Sequence, residues 1–220
     1  MLKSKINTVL FDLDGTLLDS APDLANSLNN TLEKLGREPV ALNAIREVVS
    51  LGGEALVKLC FGITPEHSSY QEIHDAFRKD YEEHICENTV LFPGIEELLS
   101  HIENKNLQWG IVTDKPEHLA LSVLEKIGLL NRSACVVAGD SIPYRKPSPE
   151  PLLHACKLIN TGPEYCIYVG DAQRDIDAAK SANIFSVAAL YGYIASDAKP
   201  EKWEANYYID HPNDLIEWLG

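Results

Sequence analysis

One strand signal in this chain stands far from all the others. Residues 6–11 are mostly β-branched, aliphatic or aromatic, as suits a strand buried on both faces of a parallel sheet. The next comparable run does not begin until residue 107. Between them the signals are helical: Leu24, Leu28, Leu32 and Leu35 recur at helical spacing until Gly36, with Ser20 placed as N-cap before Pro22. Further helical stretches cover 44–49, 54–60 and 66–85. After Phe92-Pro93-Gly94 the pattern changes. A helix carrying Ile95, Leu98, Leu99 and Ile102 leads into strands at 107–112, 134–138, 165–169 and 184–190, and helices follow the first two of these around Ala120 to Ile127 and at 150–159. A short sixth strand at 207–209 precedes a closing helix that packs through Leu215, Ile216 and Leu219. Alternating strands and helices define an α/β, doubly wound parallel sheet. The strand-free block reads as an inserted α-helical cap, so the expected division is a core of 1–17 and 90–220 and a cap of 18–89. Two crossings, near 18–21 and 88–93, form a hinge.

Open α/β sheets bind ligands beyond the carboxyl ends of their strands. There the chain carries Asp12 and Asp14 after the first strand, Thr113 after the second and Asp171 after the fourth, with Lys146 in a Pro-stiffened loop. Taken alone, Asp12-Leu13-Asp14-Gly15-Thr16 reads equally as a turn or as a site, because acids after a strand cap helices and Asp-Gly is a common turn pair. Together the residues say more. Three carboxylates, a hydroxyl and an ammonium on one rim make a site for phosphate and Mg²⁺, since crowded acids at a buried strand end require a cation or a proton.

Composition excludes several partners. With 33 acidic against 19 basic residues in 220, the net charge of −14 argues against nucleic acid or an anionic membrane. No apolar run is long enough for a membrane span, and residues 1–4 show no leader pattern, so a cytoplasmic protein is expected. Cys60, Cys86, Cys135, Cys156 and Cys166 lack paired spacing and read as reduced thiols in or near the core. His67, His74, His84 and His101 show no zinc pattern. In the cap, Gly52-Gly53 opens a helix and reads either as a connection or as an anion-binding helix start with Arg46 and Lys58 nearby.

In these motifs the chain resembles the haloacid dehalogenase superfamily over essentially its whole length. Asp12-Leu13-Asp14-Gly15-Thr16 is similar to the first motif, Thr113 to the second, Lys146 before Pro147 to the third, and Gly170-Asp171 through Asp175 to the fourth. The resemblance implies a Rossmann-like core with strand order 3-2-1-4-5 and a Mg²⁺-dependent phosphatase. Asp12 would be the nucleophile that forms an aspartyl-phosphate, and Asp14 the general acid and base. Thr113, Asp114 and Lys146 would bind phosphate; Asp12, the Asp14 carbonyl and Asp171 would bind the metal; Asp175 would orient Lys146 or a metal water. One departure stands out: the phosphoglycolate phosphatase-like subgroup has Thr-Asn-Lys where this chain has Thr113-Asp114-Lys115. An added carboxylate there repels phosphate unless Lys115 or a proton compensates it.

The resemblance is to phosphoglycolate phosphatases overall and, through Ile194 and Trp203 in the C-terminal part, also to N-acetylmuramic acid 6-phosphate phosphatases. A β-phosphoglucomutase-like transferase shares all four motifs. A two-carbon substrate calls for cap contacts from Arg46, Gly52 and Gly53, whereas a sugar calls for aromatic surface from Tyr191, Tyr193 and Trp203. The partner implied is a small phosphomonoester, with the protein a monomer or a homodimer.

Overall fold

The computed structural model describes residues 5–220, so the reading of 1–4 lies outside the described residues. Its centre is a parallel sheet of six strands in the order β5-β4-β1-β6-β7-β8. These strands are β1 (Thr8–Phe11), β4 (Gln108–Val112), β5 (Val136–Val137), β6 (Cys166–Gly170), β7 (Phe185–Ala189) and β8 (Tyr207–Ile209). The expected order therefore holds, with the sixth strand added at the edge. On β1, alternate side chains reach opposite faces: Val9 and Phe11 join one apolar cluster and Leu10 another, all fully buried. Chain progression runs from β1 to β4 and β5 on one side and to β6, β7 and β8 on the other, so the topological switch lies at the end of β1.

Between β1 and β4 stand the helices α1 (Ala21–Lys34), α2 (Leu42–Val49), α3 (Gly53–Phe61) and α4 (Tyr70–Glu83). Leu24, Leu28 and Leu32 bury the inner stripe of α1. Leu35, read as part of that stripe, lies past the helix end and is exposed. Two features differ from expectation. The crossings that flank these helices are not bare chain, because β2 (Leu18–Asp19) pairs antiparallel with β3 (Val90–Leu91) in a short ribbon. Two-residue strands carry no readable period. The buried carboxylate of Asp23 ties the crossings further, accepting from the amides of Asn88 and Thr89 at 2.8 and 2.9 Å. Ser20 occupies the N-cap position of α1 but makes no cap bond, because its hydroxyl donates elsewhere.

Around the sheet lie α5 (Ile95–Asn104), α6 (Glu117–Lys126), α7 (Glu150–Ile159), α8 (Gln173–Ser181) and α9 (Pro212–Leu219). Among the described residues no helix is long and apolar enough to cross a membrane. The five cysteines are free thiols, three of them buried.

Candidate active site

Hydrophobic β1 delivers Asp12 and Asp14 to the switch point, where a cleft of about 570 Å³ opens between the sheet rim and α2–α4. Asp12 is 4% exposed and its amide donates to Val169 O at 2.9 Å, which continues the β1–β6 ladder one residue past the strand. The Asp12 side chain meets Lys146 Nζ at 2.9 Å. That ammonium is fully buried and also donates to Asp175 Oδ1 at 2.7 Å and to the Tyr168 hydroxyl at 2.9 Å. Burial pulls the Lys146 pKa down, but Asp12 and Asp175 outweigh it and hold the ammonium above its ordinary value. Asp175 anchors α8 by accepting from the Ala172 amide at 3.0 Å.

Asp171 is as deeply buried but differently served. Its donors are the Thr16 hydroxyl at 3.1 Å, the Ser50 hydroxyl at 2.7 Å and the Tyr193 amide at 2.9 Å. No Lys or Arg pairs with it among the described residues. Burial first, then the neighbouring Asp12 and Asp175, push its carboxyl up to about 7. Two glycines make room for it: a Cβ at Gly15, where φ is +91°, would sit 2.2 Å from Asp171 Oδ2, and one at Gly192 would sit 2.3 Å from Asp171 Cβ. Asp12, Asp171 and Asp175 each offer an oxygen within 4.8 Å of the others. A buried carboxylate without a cation, beside two further acids, fits a hard divalent ion such as Mg²⁺.

The outer rim answers the question raised by Asp114. Its carboxylate pairs with Arg174 at 3.2 Å and accepts from the Lys146 amide at 3.3 Å, so the compensating cation comes from α8 and not from Lys115. Lys115 turns the other way and meets both Asp14 oxygens at 3.2 and 3.1 Å. Ser20 completes Asp14 with a 2.5 Å bond from its hydroxyl. Thr113 is buried at the end of β4, its amide on Val137 O at 2.9 Å, and it lines the cleft with Asp12, Asp14, Asp114 and Lys146.

The readings in the helical insertion fare unevenly. Gly52 and Gly53 line the cleft, but Arg46 does not. Arg46 instead pairs with Asp19 at 3.0 Å and lies over the Tyr193 ring, 5.5 Å from its centroid. The aromatic tail is also displaced from the mouth. Tyr193 donates to Asp19 and accepts from the Ala21 amide, Tyr191 donates to Thr16 O, and Trp203 packs on Ile176 and Ala188. These rings brace residues 16–21 and the sheet edge. Sequence reading missed Ser50, Arg174 and Tyr81, together with the α4 row of Tyr70, His74 and Arg78 that lines the cleft. The 4-residue steps from Tyr70 to His74 and Arg78 were the available signal for that row.

Residues 9–189 match the family model of haloacid dehalogenase-like hydrolases. An N-acetylmuramic acid 6-phosphate phosphatase of Pseudomonas putida is 39% identical, over 96% of this chain and 95% of its own length. A phosphoglycolate phosphatase of Xanthomonas campestris pv. campestris is 41% identical, over 95% and 94%. Among solved structures, a predicted phosphoglycolate phosphatase from Haemophilus somnus superposes with a TM-score of 0.88 at 26% identity, covering 98% of this chain and 99% of that one. The chain belongs to the haloacid dehalogenase-like hydrolases. Its class of activity, shared by both relatives, is that of a phosphoric monoester hydrolase.

Proposed function

We propose that this enzyme is a Mg²⁺-dependent phosphatase that works through an aspartyl-phosphate on Asp12. The observation that carries the reading is the pairing of Asp12 with Lys146 next to the cation-less Asp171, at the carboxyl end of the central strand. Held by Asp12, Asp171 and the Asp14 carbonyl, Mg²⁺ would neutralise and polarise the phosphoryl oxygens. Asp12 attacks phosphorus as the ester P–O bond breaks, and Asp14 gives its proton to the leaving oxygen. Asp14 then takes a proton from the water that attacks the same phosphorus, which frees Asp12 and phosphate. Lys146 and Thr113 hold the phosphoryl oxygens through the loose transition state, while residues 18–89 act as a cap that keeps other water out.

The leaving group is read from the cleft. Its volume of about 570 Å³ and its lining by Tyr70, His74, Arg78 and Tyr81 favour a sugar phosphate over a two-carbon acid. The amino-sugar phosphate named for the Pseudomonas relative is therefore the first choice, and phosphoglycolate, named for the Xanthomonas relative, the second. The test is kcat/KM with Mg²⁺ for both compounds and a panel of hexose phosphates. A preference of about tenfold, roughly 1.4 kcal/mol in transition-state binding, is expected for N-acetylmuramic acid 6-phosphate. A preference for phosphoglycolate reverses the choice, and undiminished turnover in excess chelator rejects the metal.

A further inference from the structure

Lys115 is an ammonium almost wholly out of water whose three hydrogens have three acceptors: the two Asp14 oxygens at 3.2 and 3.1 Å, and the Tyr81 hydroxyl at 2.9 Å. The Tyr81 ring also faces it, with Nζ 4.7 Å from the centroid. Two of these contacts come from the β1 turn. The third comes from α4, on the far side of the cleft. A buried ammonium cannot leave a hydrogen unpaired without cost, so the place of Lys115 depends on where α4 stands. Asp14 in turn is fixed between Lys115 and Ser20, and Ser20 belongs to the crossing that leads into α1. Both grips on Asp14 therefore lead back to the helical insertion.

We propose that Tyr81 is a positioning residue, which acts through Lys115 to hold Asp14 at the angle needed for proton transfer to the leaving oxygen. The inference rests on the phosphatase reading above and deepens it: the helix that lines the leaving-group side of the cleft also aims the acid that serves the leaving group. Asp14 is then aligned when α4 is seated. A residue that works in this way affects the transition state more than substrate binding, and matters most when the departing alkoxide is a poor leaving group.

The test compares a sugar phosphate with p-nitrophenyl phosphate, whose leaving group departs without a proton, in wild type and in Tyr81→Phe, Lys115→Met and the double variant. Tyr81→Phe keeps the ring and removes the acceptor. The expected result is a fall in kcat/KM, which reports the step that expels the leaving group and not the later hydrolysis common to both esters, at least about tenfold larger on the sugar phosphate than on the aryl ester, with KM changed less than about threefold. The double variant should be no slower than Lys115→Met alone, because Tyr81 acts through Lys115. Equal losses on the two esters, a loss confined to KM, or additive losses in the double variant would each overturn the positioning role. A wild-type chain inactive on every phosphomonoester would instead overturn the phosphatase reading from which it starts.

Discussion

Asp12 and Asp171 lie on adjacent strands at the same depth, yet they are stabilised in opposite ways. At the Asp12 corner a buried ammonium stands between two acids, and the Tyr168 hydroxyl and the Val112 carbonyl also accept from it. At the Asp171 corner two hydroxyls and an amide supply hydrogen bonds but no charge. The first corner carries a cation of its own. The second has no cation from the described residues, and that difference is why a divalent ion is proposed beside Asp171 and a phosphoryl group beside Lys146.

Removing the proposed nucleophile gives the largest expected effect. Asp12→Asn should lower kcat by more than about a thousandfold, since an amide cannot replace the carboxylate as nucleophile. It also leaves Lys146 with Asp175, so the fold should survive. Near-normal turnover in a preparation free of wild type would break the assignment. Lys146→Met attacks the same corner through stability. It strands Asp12 and Asp175 without their ammonium, and urea unfolding should show a loss of about 3–5 kcal/mol. A loss below about 1 kcal/mol would mean that the two corners do not differ as described.

Asp171→Asn should do the reverse. In chelator the wild-type carboxyl, raised to about 7 by burial, costs the fold nothing below its unfolded value near pH 4, and the penalty grows until ionisation is complete above pH 7. The variant should then be more stable than wild type by at most about 4 kcal/mol at pH 8, with the gain vanishing toward pH 4. Added Mg²⁺ should raise the Tm of wild type and not of the variant. A variant less stable than chelated wild type at pH 8 would show that Asp171 has a compensating cation after all.

The two corners were also unequally legible in the sequence. Asp12, Thr113 and Asp171 could be placed because hydrophobic runs mark where strands end, and the parallel topology brings those ends together; Lys146 was legible only from its Pro-stiffened loop. The donors to Asp171 could not all be placed, since Ser50 arrives from α2 and the Tyr193 amide from the loop after β7. Helical periodicity says which face of a helix is buried but not how a set of helices seats on a sheet, and so the sequence leaves open whether Lys115 compensates Asp114, whereas it faces Asp14. The aromatic run from Tyr191 to Trp203 misled for a related reason. An apolar ring suits a cleft wall or a core equally, and burial against Phe92, Ile176 and Ala188 chose the core.

The smallest expected effect concerns Asp114, where an extra carboxylate stands beside the proposed phosphate-binding residues with its own guanidinium from α8. An isolated carboxylate there would repel an incoming phosphate. A carboxylate paired at 3.2 Å with Arg174 is close to a neutral unit and leaves the local charge much as an asparagine would. Asp114→Asn should therefore change KM by less than about threefold, under 1 kcal/mol, the side-chain oxygen still accepting from the Lys146 amide. Arg174→Gln should raise KM more than Asp114→Asn does, because it uncovers the repulsion while keeping the shape, and the double variant should recover most of that loss. KM measured for the three variants at fixed Mg²⁺ decides the matter. If Arg174→Gln leaves KM unchanged, Arg174 does not screen Asp114, and Asp114 belongs with Asp171 as an acid left uncompensated by the chain.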